Sequence, residues 1–230
     1  MPRNWGLTKE QFAALYDSLL KPLDAEVSGL AITDALLKLP LPPKNPVRFS
    51  AEATRTLGQA GANNRSRQEL RGFTAATALA ILLNDCGLGF RPNRTSSGNI
   101  ELLVEPLGQS QHLWPVGWPM QKPPLKAAPK FYAMTPIELD QVALDDLLTT
   151  VSELTETPIL IDYYEIGQKH IDLSKLTVSF KRQSATSWSI ALKTVVVPKK
   201  LSREVWQDEA GRAFVWITTN RPGRSGTHME

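Results

Sequence analysis

Apolar residues fall at i, i+3, i+4 and i+7 in two stretches of the chain, Ile32, Ala35, Leu36 and Leu39, and again Leu144, Leu147, Leu148 and Val151. That spacing puts each set on one face of a helix. Thr33 and Asp145 stand near the two helix starts, where a short polar side chain or a negative charge suits the exposed N–H groups. Ahead of each helix the pattern predicts a short strand, over residues 26–29 and 137–141. Behind each comes a second strand, 46–50 and 158–162, opened in both cases by a proline that would break a continuing helix.

A second helix is predicted over 74–84 and 186–196, followed by a closing hairpin. Its strands are 88–91 and 100–104 around Thr95-Ser-Ser-Gly-Asn99, and 203–207 and 212–218 around Asp208-Glu-Ala-Gly211. The two halves thus read in one order, and their apolar positions correspond. Ile32, Ala35, Leu36, Leu39, Val47 and Phe49 recur as Leu144, Leu147, Leu148, Val151, Ile159 and Ile161. Ala78, Leu79, Leu82, Leu83, Leu88 and Val104 recur as Ala191, Leu192, Val195, Val196, Leu201 and Ile217, with the offset changed by one residue.

The fold class expected is therefore α+β, as two tandem small modules (strand-helix-strand, then strand-helix-hairpin) from an internal duplication. Residues 1–24 form an N-terminal helical extension, with Thr8 and Gln11 spaced for a capping box and Phe12, Leu15, Leu19 and Leu20 on one face. It has no counterpart before the second copy. The first module is 25–105 and the second 131–219. Between them, 106–130 holds six prolines and Trp114-Pro-Val-Gly-Trp-Pro119, which favours extended polyproline II and excludes a helix. Its tryptophans point to anchoring on a module surface, with a proline-rich docking peptide as the alternative. The polar tail, 220–230, is expected to be disordered.

The copies diverge most in the middle. Residues 51–68 read as a short helix plus loop, whereas 163–172 read as a loop before the alternating strand 176–180. What is copied is the apolar skeleton and not the polar side chains, which points to binding or assembly rather than to an active site.

Composition adds limits. With 26 basic and 23 acidic residues the net charge is +3, too balanced to demand a nucleic-acid or membrane partner. Cys86 is the single cysteine, so neither an internal disulfide nor a thiolate cluster is open to the chain, and its apolar surroundings suit a small buried hydrophobe. No apolar stretch approaches the length of a membrane span, and the opening residues lack the apolar region of a signal peptide.

The candidates for chemistry are few. His112, His170 and His228 lack the mutual spacing of zinc ligands, so no metal is expected. Asp145 and Asp146 are adjacent on a helix and diverge by about 100°. Asp162, Glu165 and Asp172 surround His170, the one polar cluster with catalytic colour, but in a stretch read as loop. Neither a Ser elbow nor a phosphate loop is present, and no catalytic residue or cofactor is assigned. Gly58-Gln-Ala-Gly61 matches the G-x-x-G that clamps a nucleic-acid backbone in KH domains, with Arg48, Arg55, Arg65, Arg67 and Arg71 nearby. A KH-like nucleic-acid binder is accordingly the alternative function. The candidate partner-binding residues are Trp114, Trp118, Arg65, Arg67, Tyr163 and Tyr164.

The stretches 30–39, 74–90 and 100–104, with 142–151, 157–162 and 211–218 in the second copy, resemble the short N-terminal (STN) domain family of secretins and TonB-dependent transducers. The whole is also similar to duplicated envelope proteins of planctomycete type. The resemblance implies small β-α-β sandwiches used for protein–protein contact in the cell envelope, without cofactor or catalytic residues. It places the chain in the periplasm or envelope if an export signal has been removed, and in the cytoplasm otherwise. The chain departs from the family in the Ala/Gly/Asn-rich middle of the first copy and in Pro198-Lys-Lys-Leu201 of the second. It also carries no pore or barrel domain, so a channel or receptor role is not implied.

Overall fold

The computed structural model describes residues 5–59, 64–109 and 112–219. Its helices and several small sheets make an α+β fold. The chain divides into two compact units, Met1–Pro119 with Gln207–Arg212, and Met120–Trp206 with Ala213–Glu230. The expected tail, 220–230, lies outside the described residues.

The first unit opens with α1 (Lys9–Leu19), started by the capping box: the Thr8 hydroxyl accepts from the Gln11 amide at 3.2 Å, and the Thr8 amide donates to Gln11 Oε1 at 3.0 Å. Leu15 and Leu19 on its inner face are buried. In α2 (Ile32–Lys38) Ile32 and Ala35 turn inward. After β1 (Val47–Phe49) and α3 (Ala51–Gln59) comes α4 (Ala75–Asn84), all of whose residues are buried. Its sequence, apolar on every side apart from Thr77 and Asn84, is that of a helix enclosed all round. The strands β2 (Leu88–Arg94) and β3 (Ile100–Pro106) form a hairpin whose turn needs Gly98 at φ +85°. The sheet order is β1-β3-β2, with β1 parallel to β3, Val47 facing Leu102, and β2 antiparallel.

The second unit begins with two single-turn helices, α5 (Pro124–Ala127) and α6 (Pro129–Tyr132). β4 (Glu138–Ala143) leads into α7 (Leu144–Thr155), which buries Leu144, Leu147, Leu148, Val151 and Thr155, the face the spacing predicted. β5 (Ile159–Ile161), α8 (Tyr163–Gln168), β6 (Thr177–Lys181), α9 (Trp188–Val196), β7 (Leu201–Gln207) and β8 (Ala213–Thr219) complete it. The sheet order is β5-β8-β7, with β5 parallel to β8 and Ile159 facing Val215. Every residue of β8 is buried, which is the environment of a central strand and accounts for its nearly unbroken apolar run. The two three-stranded sheets therefore share one order, and in each the three-residue strand runs parallel to the central one.

Three expectations are corrected. Residues 26–29 form no strand. Gly29 takes φ +79°, and among the described residues the single bridge Ala31–Arg65 stands where β4 and β6 pair in the second unit. The first copy lacks an alternating partner like Thr177-Val-Ser-Phe-Lys181, so the ladder does not extend.

The proline-rich stretch does not exclude helix. Pro124 and Pro129 sit at the first positions of α5 and α6, where a missing N–H leaves no bond unmade. It is also divided between the units at Pro119 rather than standing as one linker. Finally, 163–172 is not simply loop. Asp162 caps α8 by accepting from the Glu165 amide at 3.1 Å, and Ile166 anchors the helix in the core. Each unit thus places a helix directly after its three-residue strand, α3 after β1 and α8 after β5.

Candidate functional site

Aromatic residues gather in the first unit around one carboxylate. The Trp114 ring stacks on Phe90 with centroids 5.6 Å apart and on Trp5 at 5.5 Å, and meets Trp118 edge-on at 5.7 Å. Phe12 and Tyr16 of α1 extend the cluster. The backbone fixes both tryptophans. The Trp114 amide donates to the Phe90 carbonyl at 2.6 Å, and Trp118 exchanges two backbone bonds with Gln207 at 2.8 and 2.9 Å. Trp114 is only 3 % exposed. It is a core residue, which corrects its assignment as a partner-binding side chain and favours anchoring over a docking peptide. Trp118 is half-buried beside it.

The carboxylate is that of Glu209, 9 % exposed, in the turn between β7 and β8. Its Oε1 accepts the indole N–H of Trp114 at 2.7 Å and that of Trp118 at 2.8 Å. Its Oε2 accepts the hydroxyls of Thr77, at 2.8 Å, and Thr74. All four donors are neutral, and each oxygen receives two bonds. Its backbone carbonyl accepts from Tyr16 Oη at 3.2 Å. Burial, with the charges of Glu209, Asp208 and Asp17, pushes the Tyr16 hydroxyl above the usual phenol range.

Neighbouring groups hold the turn as firmly. Asp208 Oδ1 accepts the amides of Ala210 and Arg212 at 3.0 and 2.8 Å, and Oδ2 accepts that of Thr74 at 3.3 Å. Burial still raises the Asp208 carboxyl above its ordinary range. The Arg212 guanidinium donates to the Arg71 carbonyl at 2.8 Å and lies 4.4 Å from the centre of the Phe73 ring. Gly72, at φ +82°, leaves the space it occupies.

Sequence reasoning missed Glu209, Thr74 and Thr77 as site residues. Asp208-Glu-Ala-Gly211 reads as an ordinary polar turn, and Thr74 as a helix start. An acidic pair in the turn ahead of the largely apolar β8 is the one available signal.

The remaining candidates are scattered. Arg65 and Arg67 are exposed on the segment after α3, and Arg65 Nη1 donates to the Gly29 carbonyl at 2.7 Å. Arg71 faces Glu26 at 3.1 Å. Gly58 sits in the last turn of α3, Gly61 lies outside the described residues, and the next helix, α4, starts only at Ala75. Close by, an open groove of about 470 Å³ is lined by Ile32, Thr33, Thr54, Leu57, Gly58 and Arg65. Tyr163 and Tyr164, both half-buried, open α8 in the second unit.

Two of the carboxylates near His170 in sequence, Asp162 and Asp172, cap short helical turns. Asp162 is 3 % exposed and, besides capping α8, accepts the Thr218 hydroxyl at 2.8 Å. Asp172 accepts from Ser174 and pairs with Lys175 at 2.8 Å, contacts that hold its carboxyl below the ordinary range. His170 is exposed, at φ +54°, just beyond α8. Among the described residues no group of His, Cys, Asp and Glu is arranged to hold a metal ion, and no helix is long and apolar enough to cross a membrane.

Half-buried Cys86 donates to Asn64 Oδ1 at 2.9 Å, and burial with the charge of Asp85 pushes its thiol up to about 12 from 9.0. At pH 8 its thiolate population is then about a thousandfold below that of an unfolded chain. The expected outcome is slow labelling by a thiol reagent in buffer and rapid labelling in denaturant; equal rates would contradict the packing around Cys86. Because the folded value is the higher one, this group's contribution to stability is complete below pH 9.0 and is lost as pH rises towards about 12.

The fold and this site define a two-unit α+β protein with a buried, neutrally solvated carboxylate. Comparison with protein-family models, with curated proteins and with solved structures gives no match.

Proposed function

We propose that the chain is a non-enzymatic interaction or scaffolding protein of the bacterial cell envelope, built from duplicated STN-like modules and acting by surface recognition. The observation that carries this reading is the shared sheet order of the two units, each with a three-residue strand parallel to the central one, set beside apolar positions that correspond at an almost constant offset. Polar groups do not follow that correspondence. The Glu209 constellation has no equivalent at Thr95–Asn99 of the first hairpin, where hydrogen bonds stay within the turn. A general base needs a lone pair free for a substrate proton. Both oxygens of Glu209 are already engaged twice, and the carboxylates of Asp162 and Asp172 cap local turns.

Exposed Arg65 and Arg67 and the half-buried pair Tyr163 and Tyr164 are the surface positions assigned to partner contact. Photo-crosslinkers placed at these four positions test it, with capture compared between envelope and soluble fractions. A defined protein partner in the envelope fraction, lost on Arg65→Glu with Arg67→Glu or on Tyr163→Ala, is the expected result. Steeply salt-dependent binding of single strands, abolished by the same arginine changes, would replace it by the KH-like reading. Turnover lost in His170→Ala would replace it by an enzyme.

A further inference from the structure

We infer that Thr74, Thr77, Trp114 and Trp118 form a carboxylate-binding site, which the chain fills with its own Glu209. The charge is buried, and a buried carboxylate is tolerated only where its oxygens are fully hydrogen-bonded. The bonds are divided two and two, indoles on one oxygen and hydroxyls on the other.

That division matches a planar two-oxygen anion. Chloride offers a single centre, so it would have to serve both pairs from one point, without the two separate acceptors between which the bonds are divided. A carboxamide would turn its NH2 group either towards two indole N–H groups that only donate or towards two hydroxyls that would both have to rotate from giving to accepting. A cation would face two indole N–H donors and only the hydroxyl oxygens as acceptors, one of which already accepts from the Thr77 amide at 3.4 Å.

The donors are positioned by contacts that do not involve the Glu209 side chain. Thr74 and Thr77 share one face at the start of α4, three residues apart. Trp114 is clamped between Phe90 and Trp5 and tied by its amide to Phe90, and Trp118 is paired through its backbone to Gln207. Removing the Glu209 side chain therefore leaves a vacant site of defined shape rather than an unsupported gap. Recognition is by geometry and hydrogen bonding and not by ion pairing.

The test is chemical rescue in the full chain. Glu209→Ala is expected to lower Tm and to change the tryptophan near-ultraviolet circular dichroism. Sodium acetate or propionate, at ionic strength matched with sodium chloride, is expected to restore both saturably, while the wild-type chain gives no saturable response. Adding Thr77→Val and Trp118→Phe to Glu209→Ala should abolish the rescue. A folded Glu209→Ala chain that responds equally to chloride and acetate, or to neither, overturns the inference. Should Glu209→Ala fail to fold, Glu209→Gln decides instead: the same length of side chain with wild-type Tm and tryptophan spectrum would mean that no carboxylate is needed, whereas a lowered Tm with an altered spectrum supports the site.

Discussion

Trp114→Ala is expected to destabilise the first unit by about 3–5 kcal/mol, the range for removing a large aromatic side chain from a packed interior. Trp114 is 3 % exposed, sits between the rings of Phe90 and Trp5, and meets Trp118. Its loss opens a cavity at the centre of that stack and also removes one of the two indole donors from Glu209 Oε1. The second effect adds to the first, since a buried acceptor that loses a partner bears a desolvation penalty. Urea unfolding followed by amide hydrogen exchange in α4 and β3 measures the change. Protection in those elements within about 0.5 kcal/mol of wild type would mean that the tryptophan does not bear on the core.

Phe131→Ala is expected to cost the second unit about 3–5 kcal/mol as well. Phe131 is completely buried in the core formed with Leu144, Leu148, Leu192, Val196 and Leu201. It is carried there by the single turn of α6, beside the edge-on ring of Tyr132 at 5.4 Å and under the Arg203 guanidinium 5.9 Å away. One helical turn has almost no stability of its own, so packing of this side chain is what keeps α6 formed. Amide exchange in α6, α9 and β8 should accelerate together. Leu125→Ala in α5, where the side chain is 65 % exposed, is the control and should change stability by less than about 0.5 kcal/mol. An equal effect of the two substitutions would refute the assignment of Phe131 to the core.

Both residues show how far a local reading carries. The proline density of 106–130 speaks for an extended linker when only neighbouring residues are weighed. Yet Trp114 and Trp118 are drawn into the first unit, and Pro124 and Pro129 start helical turns in the second. Proline fixes its own φ but leaves the conformation of the next residues open, so the same composition serves either outcome. Stretch 163–172 behaves similarly. Asp162 and Glu165 have the spacing of a helix start, but six residues make a weak periodic signal, and burial of Ile166 settles the conformation.

Periodic features carried more. The inward faces of α1, α2 and α7, the capping box of Thr8 and Gln11, the Pro-led strands β1 and β5 and both closing hairpins were legible because they depend on residues within one or two turns of each other. The expected strand at 26–29 failed for a complementary reason. A strand exists only with a partner, and among the described residues the first copy offers the single bridge at Arg65 where the second offers β6.

By itself, the sequence determined the fold class and the apolar skeleton repeated along the chain. Tertiary structure alone decided the carboxylate site. Glu209 meets its four donors across separations of 91 to 135 residues. No local pattern records a convergence of that kind, because it arises from which surfaces the packed helices and strands bring together and not from the conformational preference of any one segment.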